Sequence, residues 1–569
     1  MKKKPINSKN SFITLTDKLT YKDQIFENYI KETNFKTEGQ ISFENCTFKK
    51  VVAFEDIQAY SISFLNCTFH QDFFLSDSEF NNIYFTICKF KNCSLYKNKC
   101  FIDTNFNYVN AINIDLNGIY NNLSFKKINV RNIKLIDVNN EYSFEEQKIE
   151  FNDDENIVED LKFKSSSNYS QICFTEGIYN SIWFDGFFND KLNFNGNIKN
   201  QNLYFHSSTF NDRIDFNEGN FDNISFNQSS FKGLILIYGI DVLTKKSKNL
   251  LIDDLAIHSC QFEKDFSVYI KEIKYLNLSN NNFEKAFSLN SDKKNENYTS
   301  FSLDGFNQGN VIIENIYIDI TFSGINTGNL YFKDMIIENL IIRGFHNKGD
   351  ILFTKLISKY DLVIQDSIVG NLNFFNEDIN YFEEIIISNS NLKGLILNKY
   401  PKKIRSYSSN PLKGYGSKKY SNRNLKNIYS QLKIIAKTNG DIDHMNKFKS
   451  LEFKKMVIIK SLSFDSIILF LNWISNNNGN SWFRGVLFTL SIGYLFFSLY
   501  INNLNLNLSQ NTLIENYILF ISSFPKLELE KYSELNKQWD VSLIIWISRI
   551  FISYGIYQTI TAFRKYGKI

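Results

Sequence analysis

Ile41-Ser42-Phe43-Glu44-Asn45-Cys46-Thr47-Phe48 returns as Ile62-Ser63-Phe64-Leu65-Asn66-Cys67-Thr68-Phe69, and again as Ile83-Tyr84-Phe85-Thr86-Ile87-Cys88-Lys89-Phe90. The interval is 21 residues, and Phe106 extends it. Inside the unit runs a beat of five: Phe43 to Phe48, Phe64 to Phe69 to Phe74, and Phe80 to Phe85 to Phe90 to Leu95. Cys46, Cys67, Cys88 and Cys93 stand two places before the matching members. Five matches neither the helical period of 3.6 nor the strand period of 2. It suits short strands joined by tight turns, with four faces and one extra residue closing a coil. Equivalent rings then lie one strand spacing apart, and a stack buries what a single unit leaves exposed.

The beat recurs downstream. Phe163, Phe184, Phe205 and Phe226 keep the 21-residue interval; Phe221, Phe226, Phe231 and Leu236 keep the five. Phe262-Glu263-Lys264 returns as Phe283-Glu284-Lys285, and Gly328, Gly349 and Gly370 lead Phe332, Phe353 and Phe374 at the same spacing. The expected fold is therefore mainly β, a parallel β-helix over residues 40–400 behind an N-terminal cap over 1–39. Its repeat core is Phe43, Phe48, Phe64, Phe69, Phe85, Phe90, Phe184, Phe205 and Phe226. About 17 coils at ~4.8 Å per layer predict a rod of roughly 80 Å. Asn residues suit the corners, where left-handed backbone is needed and side chains can bond along the stack. The four prolines stand at 5, 401, 411 and 525, as expected where nearly every strand N–H is needed by the next coil. Residues 137–160, with Asp153-Asp154-Glu155, break the beat and are expected to loop out, as are 241–250 and 290–300.

The chain has 569 residues and a formal net charge of +4, three to four domain-lengths at ~150 each and no polybasic nucleic-acid binder. The charge is partitioned: residues 41–400 hold 33 Lys and Arg against 46 Asp and Glu, so the remainder is strongly basic. An acidic body on a basic end directs the end to an anionic surface. The seven cysteines include no CxxC pair and read as small core residues, and the five histidines show no metal spacing. No phosphate loop, nucleophile elbow or zinc motif is present. No catalytic residue, metal or cofactor is expected, and the chain is read as a non-enzyme. The start, Met1 to Pro5, continues with polar residues and is not a secretory signal.

From 401 to 470 there are 15 Lys and Arg against 4 Asp and Glu. Leu425, Ile428, Leu432, Ile435 and Ala436 form one helical stripe, Asn439-Gly440 is a stop, and Met445, Phe448, Glu452, Met456 and Ile459 resume the period. A basic helical hairpin over 401–462 is predicted, its lysines suited to anionic lipid head groups. A membrane domain over 463–569 follows: an interfacial helix over 464–475 with Trp473, and spans over 482–501 and 541–563. Lys454, Lys455 and Lys460 precede the first span and Arg564, Lys565 and Lys568 follow the second, which places both termini in the cytosol. Arg549, Tyr557 and Arg564 are the candidate functional residues of this domain. A charge well inside a span needs protein, water or a partner, and a neighbouring subunit is the expected source for Arg549.

Ile41-Ser42-Phe43, Cys46-Thr47-Phe48, Ile83-Tyr84-Phe85, Cys88-Lys89-Phe90 and Cys93-Ser94-Leu95 resemble pentapeptide-repeat proteins. That family forms a right-handed quadrilateral β-helix with Leu or Phe at the centre and a small residue two places before. This chain departs from it in using 21 residues per coil and Ile where Ala is usual. Asn424-Leu425-Lys426, Trp482-Phe483-Arg484-Gly485 and the stretch from Tyr557-Gln558 to Ala562-Phe563-Arg564-Lys565-Tyr566 are similar to bacterial membrane-anchored members of the family. The resemblance implies binding or scaffolding more than catalysis. The order span, short apolar stretch Thr512 to Phe524, loop, span looks like the pore module of two-span cation channels in topology, without their Thr-Val-Gly-Tyr-Gly filter. The expectation is a cytosolic interaction scaffold or sensor on the inner membrane, with an oligomeric channel or membrane-permeabilising effector as the alternative. Its partners are the lipid bilayer, a protein of unknown identity and, for the alternative, further copies of the chain; no nucleic acid is expected.

Overall fold

The computed structural model describes residues 4–6, 12–13, 19–139, 148–164, 171–189, 191–239, 250–270, 273–291, 299–358, 361–375, 382, 384–397, 400, 403–406, 418–460, 463–504, 510–522 and 539–564. They fall into two compact units: Met1–Val363 with Gly370–Glu383 and Leu397–Lys399, and Ile364–Val369 with Glu384–Ile396 and Tyr400–Ile569. The repeats form a parallel β-solenoid of about 16 turns with ~21 residues per coil. Equivalent residues are direct partners: Phe43 with Phe64, Phe64 with Phe85, and Phe85 with Phe106.

The interior follows from where the apolar residues fall. In the coil beginning at Ile62, the buried side chains are Ile62 and Phe64, Cys67 and Phe69, Phe73 and Leu75, Ser78 and Phe80. Each pair brackets one outward residue, so the coil has four faces. The steps from Phe64 to Phe69, Leu75, Phe80 and Phe85 are five, six, five and five. The extra residue sits at the second corner, and it overturns one reading of the beat. Phe74 points outward and is 42% exposed, while Phe73 and Leu75 fill the core. The register also shifts at Leu236: Ile235 and Ile237 alternate with it, and Leu236, itself buried, pairs with Asp215 and Ser267.

Along three columns each aromatic meets its own copy. The rings of Phe43, Phe64, Phe85 and Phe106 lie 5.0, 5.3 and 5.0 Å apart and near-parallel. A second column, Phe26, Phe48, Phe69 and Phe90, has spacings of 4.8, 4.5 and 4.5 Å. A third, Phe163, Phe184, Phe205 and Phe226, has 4.7, 5.2 and 4.6 Å. These match the ~4.8 Å strand spacing of any β-sheet, so backbone hydrogen bonding and ring stacking are satisfied by one geometry. Coiling starts before residue 40: Tyr21 stacks on Phe43 at 5.0 Å.

The corners also form columns. Asn45, Asn66, Ile87 and Tyr108 are all left-handed, with φ of 56, 52, 55 and 54°. The Asn66 amide donates to Asn45 Oδ1 at 2.8 Å, and Asn45 to Asp23 at 3.0 Å. Where backbones approach most closely the column is glycine: a Cβ on Gly328 would lie 1.6 Å from the Gly309 carbonyl oxygen, and one on Gly349 1.9 Å from that of Gly328.

Of the stretch 137–160 expected to loop out, residues 140–147 lie outside the described residues, while 137–139 and 148–160 belong to strands. Ile149 and Phe151 are buried, and Phe151 stacks on Phe125 at 4.7 Å. The acidic run makes a corner instead, because Asp153 Oδ1 accepts the Glu155 amide at 3.1 Å. Buried Asn156 then accepts from Ile128 N at 3.0 Å and donates to the Phe125 carbonyl at 3.3 Å. Of the other two proposed loops, 240–249 and 292–298 lie outside the described residues, while Leu250, Thr299 and Ser300 belong to strands.

Among the described residues the second unit carries six helices: α1 Lys418–Thr438, α2 Ile442–Lys460, α3 Phe464–Asn476, α4 Trp482–Asn503, α5 Gln510–Ser522 and α6 Trp539–Phe563. Helices α1 and α2 pair through buried Ile428, Leu432, Ile435 and Ala436 on one side and Phe448 on the other. Gly440, at φ 73°, turns the chain between them. Helices α4 and α6 are long and apolar enough to cross a membrane.

Candidate functional site

The repeat-core phenylalanines named from sequence are all buried, so the solenoid interior is filled with rings and leaves only its outer surface for contact. Ion pairs run between coils on that surface: Lys22 with Glu44, Lys99 with Glu79, Arg131 with Glu159, Lys274 with Asp253, and Lys355 with Asp334. The seven cysteines are free and buried. Cys67 Sγ, for example, lies 3.4 Å from the Leu65 carbonyl and 3.5 Å from that of Phe43. Among the described residues, no group of three His, Cys, Asp or Glu is placed to hold a metal.

The chemistry with a geometric setting lies among the apolar helices. Helices α4 and α6 run antiparallel: Trp482 stacks on Phe563 at 4.9 Å and Phe496 on Phe551 at 5.7 Å. Between these contacts small residues interlock. A Cβ on Gly485 would lie 2.5 Å from Thr559 Oγ1, and one on Gly555 2.4 Å from Thr489 Oγ1. Both helices therefore carry a Gly and a Thr four residues apart, facing the other's pair, as close helix packing in lipid favours. The threonine hydroxyls bond back to the Gly485 and Gly555 carbonyls at 2.8 and 2.9 Å, so neither is left unpaired.

Helix α5 enters the opposite end of this pair. Tyr517 donates to the Leu490 carbonyl at 2.6 Å, Gly493 leaves room for Ile521, and Phe520 packs on Phe497 and Tyr500. Gly493 is ten residues from the end of α4, and Arg549 ten from the start of α6. At ~1.5 Å per residue both lie about 15 Å along their helices, half of a ~30 Å hydrocarbon core. The last turn of α5 thus ends about midway along both helices, where its carbonyls lack helical partners. Arg549 supplies one: Nη1 donates to the Phe520 carbonyl at 2.9 Å, and the guanidinium stands 5.4 Å from the Phe520 ring centre. Arg549 Nε and Nη2 are buried with no partner among the described residues. One contact to Arg549 is therefore made inside the chain, because α5 delivers a helix C-terminus, the negative end of a dipole, to that point. The structure does not gather the other two candidates beside it. Tyr557 is 63% exposed and Arg564 is exposed, two and four turns farther along.

A polar joint that sequence reasoning missed links α3 to α6. Asn472 Oδ1 accepts from the Tyr554 hydroxyl at 2.5 Å and from Gln558 Nε2 at 2.7 Å, and Asn476 donates to Gln558 Oε1 at 2.5 Å. The next turn extends it to α2: Asn478 donates to the Ser450 carbonyl at 3.4 Å and Asn480 to that of Asn446 at 3.1 Å. The available signal was i, i+4 spacing of polar residues on two apolar helices, Asn472 with Asn476 and Tyr554 with Gln558. Also within this unit, Gln431 of α1 accepts from Leu392 N at 2.6 Å and donates to the Ser390 carbonyl at 3.0 Å, beside a cavity of about 570 Å³.

No family model matches the chain, and no curated protein or solved structure matches it. The fold assignment rests on the coil geometry itself.

The face of the α1–α2 hairpin is basic. The two helices hold eleven Lys and Arg against Asp443 and Glu452, and Glu452 is taken up by Lys433 at 2.6 Å. Burial, and then the charge of Lys454, lowers the pKa of Lys455, whose ammonium donates to Asn422 Oδ1 at 3.0 Å. Lys454 also stands 5.8 Å over the Trp473 ring, and Lys460 bonds Asp465 at 2.5 Å, so the basic face is tied to α3.

Proposed function

We propose that the chain is a membrane-anchored solenoid of pentapeptide-repeat type, acting as an interaction scaffold or sensor on the cytosolic face of the inner membrane. The observation that carries this reading is a ring-filled solenoid continuing, in one chain, into two helices apolar enough to span a bilayer. A filled interior assigns binding to the outer strand faces, and the reading gives the chain no catalytic step. The basic hairpin before α4 and the basic residues after α6 favour both termini in the cytosol. Deleting 482–569 is expected to move the solenoid to the soluble fraction; retention in the membrane would overturn the anchor.

One observation favours a second reading, an oligomeric channel. Helix α5 ends about midway along α4 and α6, beside a guanidinium with two unpartnered donors. Planar-bilayer conductance of purified protein, compared with Arg549→Ala, separates the two: current altered by the substitution supports the channel, and silence in all conditions leaves the scaffold.

A further inference from the structure

Arg423 and Lys426 stand three residues apart on α1, and Met456, Ile459 and Lys460 lie on the last turns of α2. Because α1 and α2 are antiparallel, the start of one meets the end of the other. These residues and Asn427 line a single cavity of about 230 Å³, three of them cationic and two, Met456 and Ile459, apolar. No carboxylate lines it. Arg423 and Lys426 have no acidic partner among the described residues, while Lys460 is held by Asp465 of α3. The hairpin is not short of compensating pairs elsewhere, since Lys433 is paired with Glu452. Cationic charge has therefore been left open at one concave place.

We propose that this cavity binds the phosphate of an anionic membrane phospholipid, with Arg423, Lys426 and Lys460 around the phosphate and Met456 and Ile459 against the adjoining glycerol. The volume sets the size of the ligand, and the neighbouring apolar face selects a lipid over a free phosphate. The cavity is smaller than the ~300–1,000 Å³ of ordinary small-molecule sites, enough for a head group and too small for a nucleotide. Its lining residue Lys460 is bonded to the first turn of α3, whose Phe464 is 87% exposed and whose Ile467 and Ile468 are also exposed. A lipid seated by its phosphate can lay its acyl chains along that apolar face. Guanidinium matches phosphate with two parallel hydrogen bonds, and Lys adds point charge.

The inference rests on the membrane reading above, and its test is made on full-length protein already in a bilayer, so that the two can fail separately. Protein reconstituted in nanodiscs of equal phosphatidylglycerol and phosphatidylcholine is released in the gas phase, and retained lipids are counted by mass. Wild type is expected to retain phosphatidylglycerol preferentially. Arg423→Gln with Lys426→Gln is expected to lower that preference about 25-fold, two steps of about fivefold. Lys437→Gln with Lys447→Gln, an equal charge change on the same hairpin but outside the cavity, is expected to leave it within about twofold. Equal loss in both glutamine pairs would show diffuse surface charge and overturn the pocket. Displacement of the lipid by millimolar glycerol 1-phosphate would assign the site to a soluble phosphate and overturn the lipid.

Discussion

Ile87→Asn is expected to stabilise the solenoid. Ile87 occupies a corner at φ 55°, in a column whose two preceding members are Asn45 and Asn66. Left-handed backbone costs a residue with a branched Cβ about 1–2 kcal/mol, whereas Asn adopts it readily. Asn66 donates to Asn45 at 2.8 Å, and its own Oδ1 is placed to accept from an Asn one coil later, a further ~0.5–1 kcal/mol. Against this stands the lost apolar contact of Ile87. The side chain is 51% exposed, so about half of the ~1.5–3 kcal/mol for full burial is forfeited. The net is about 1 kcal/mol in favour of Asn. Repeat arrays are stabilised by nearest-neighbour contacts, so the gain should be local. It is read by hydrogen exchange at residues 66, 87 and 108, whose amides donate to Thr86, Asn107 and Lys126 in the next coil. These should exchange about fivefold more slowly. Ile87→Val keeps the strained backbone and should not slow them. Equal exchange in the two variants, or faster exchange with Asn, would refute the account of the corner.

The register at the second corner predicts opposite fates for neighbours: Phe73→Ala should cost about 3–5 kcal/mol, and Phe74→Ser should stay within about 0.5 kcal/mol, both by chemical denaturation. Burial pushes the Cys100 and Cys260 thiols up, to about 11 and about 12, from an ordinary 9.0. Their stabilising contribution is complete below pH 9 and lost as pH rises through those values. Stability should fall by about 1 kcal/mol per thiol between pH 9 and 10, and Cys100→Ala with Cys260→Ala should reduce that slope. Arg549→Leu leaves the Phe520 carbonyl without its charged donor and should lower the stability of the helical unit in detergent by about 1.5–3 kcal/mol; an unchanged melting temperature would show the contact contributes nothing.

The repeat was legible because stacking copies period directly into contact. A ring that returns every 21 residues must meet itself if the coil length is constant, as Phe43, Phe64 and Phe85 do. The place of the extra residue was not legible. Five-residue spacing assigned Phe74 to the core, since a run of two aromatics fits either register, and only the closure of the coil chooses between them. Residues 148–160 were misread because an acidic corner and an acidic loop have the same composition; the difference lies in Asn156 reaching two backbone groups of the neighbouring coil.

The helical part divides along the same line. Apolar length alone marks α4 and α6 as possible spans, and charge alone marks the hairpin as basic. That Arg549 binds the end of α5, that Asn472 joins Tyr554 and Gln558, and that Arg423, Lys426 and Lys460 share one cavity are facts of tertiary structure. Composition and period are local sums that survive any arrangement of the helices. A contact between residues as far apart as Asn472 and Gln558 exists only once packing has chosen which faces meet.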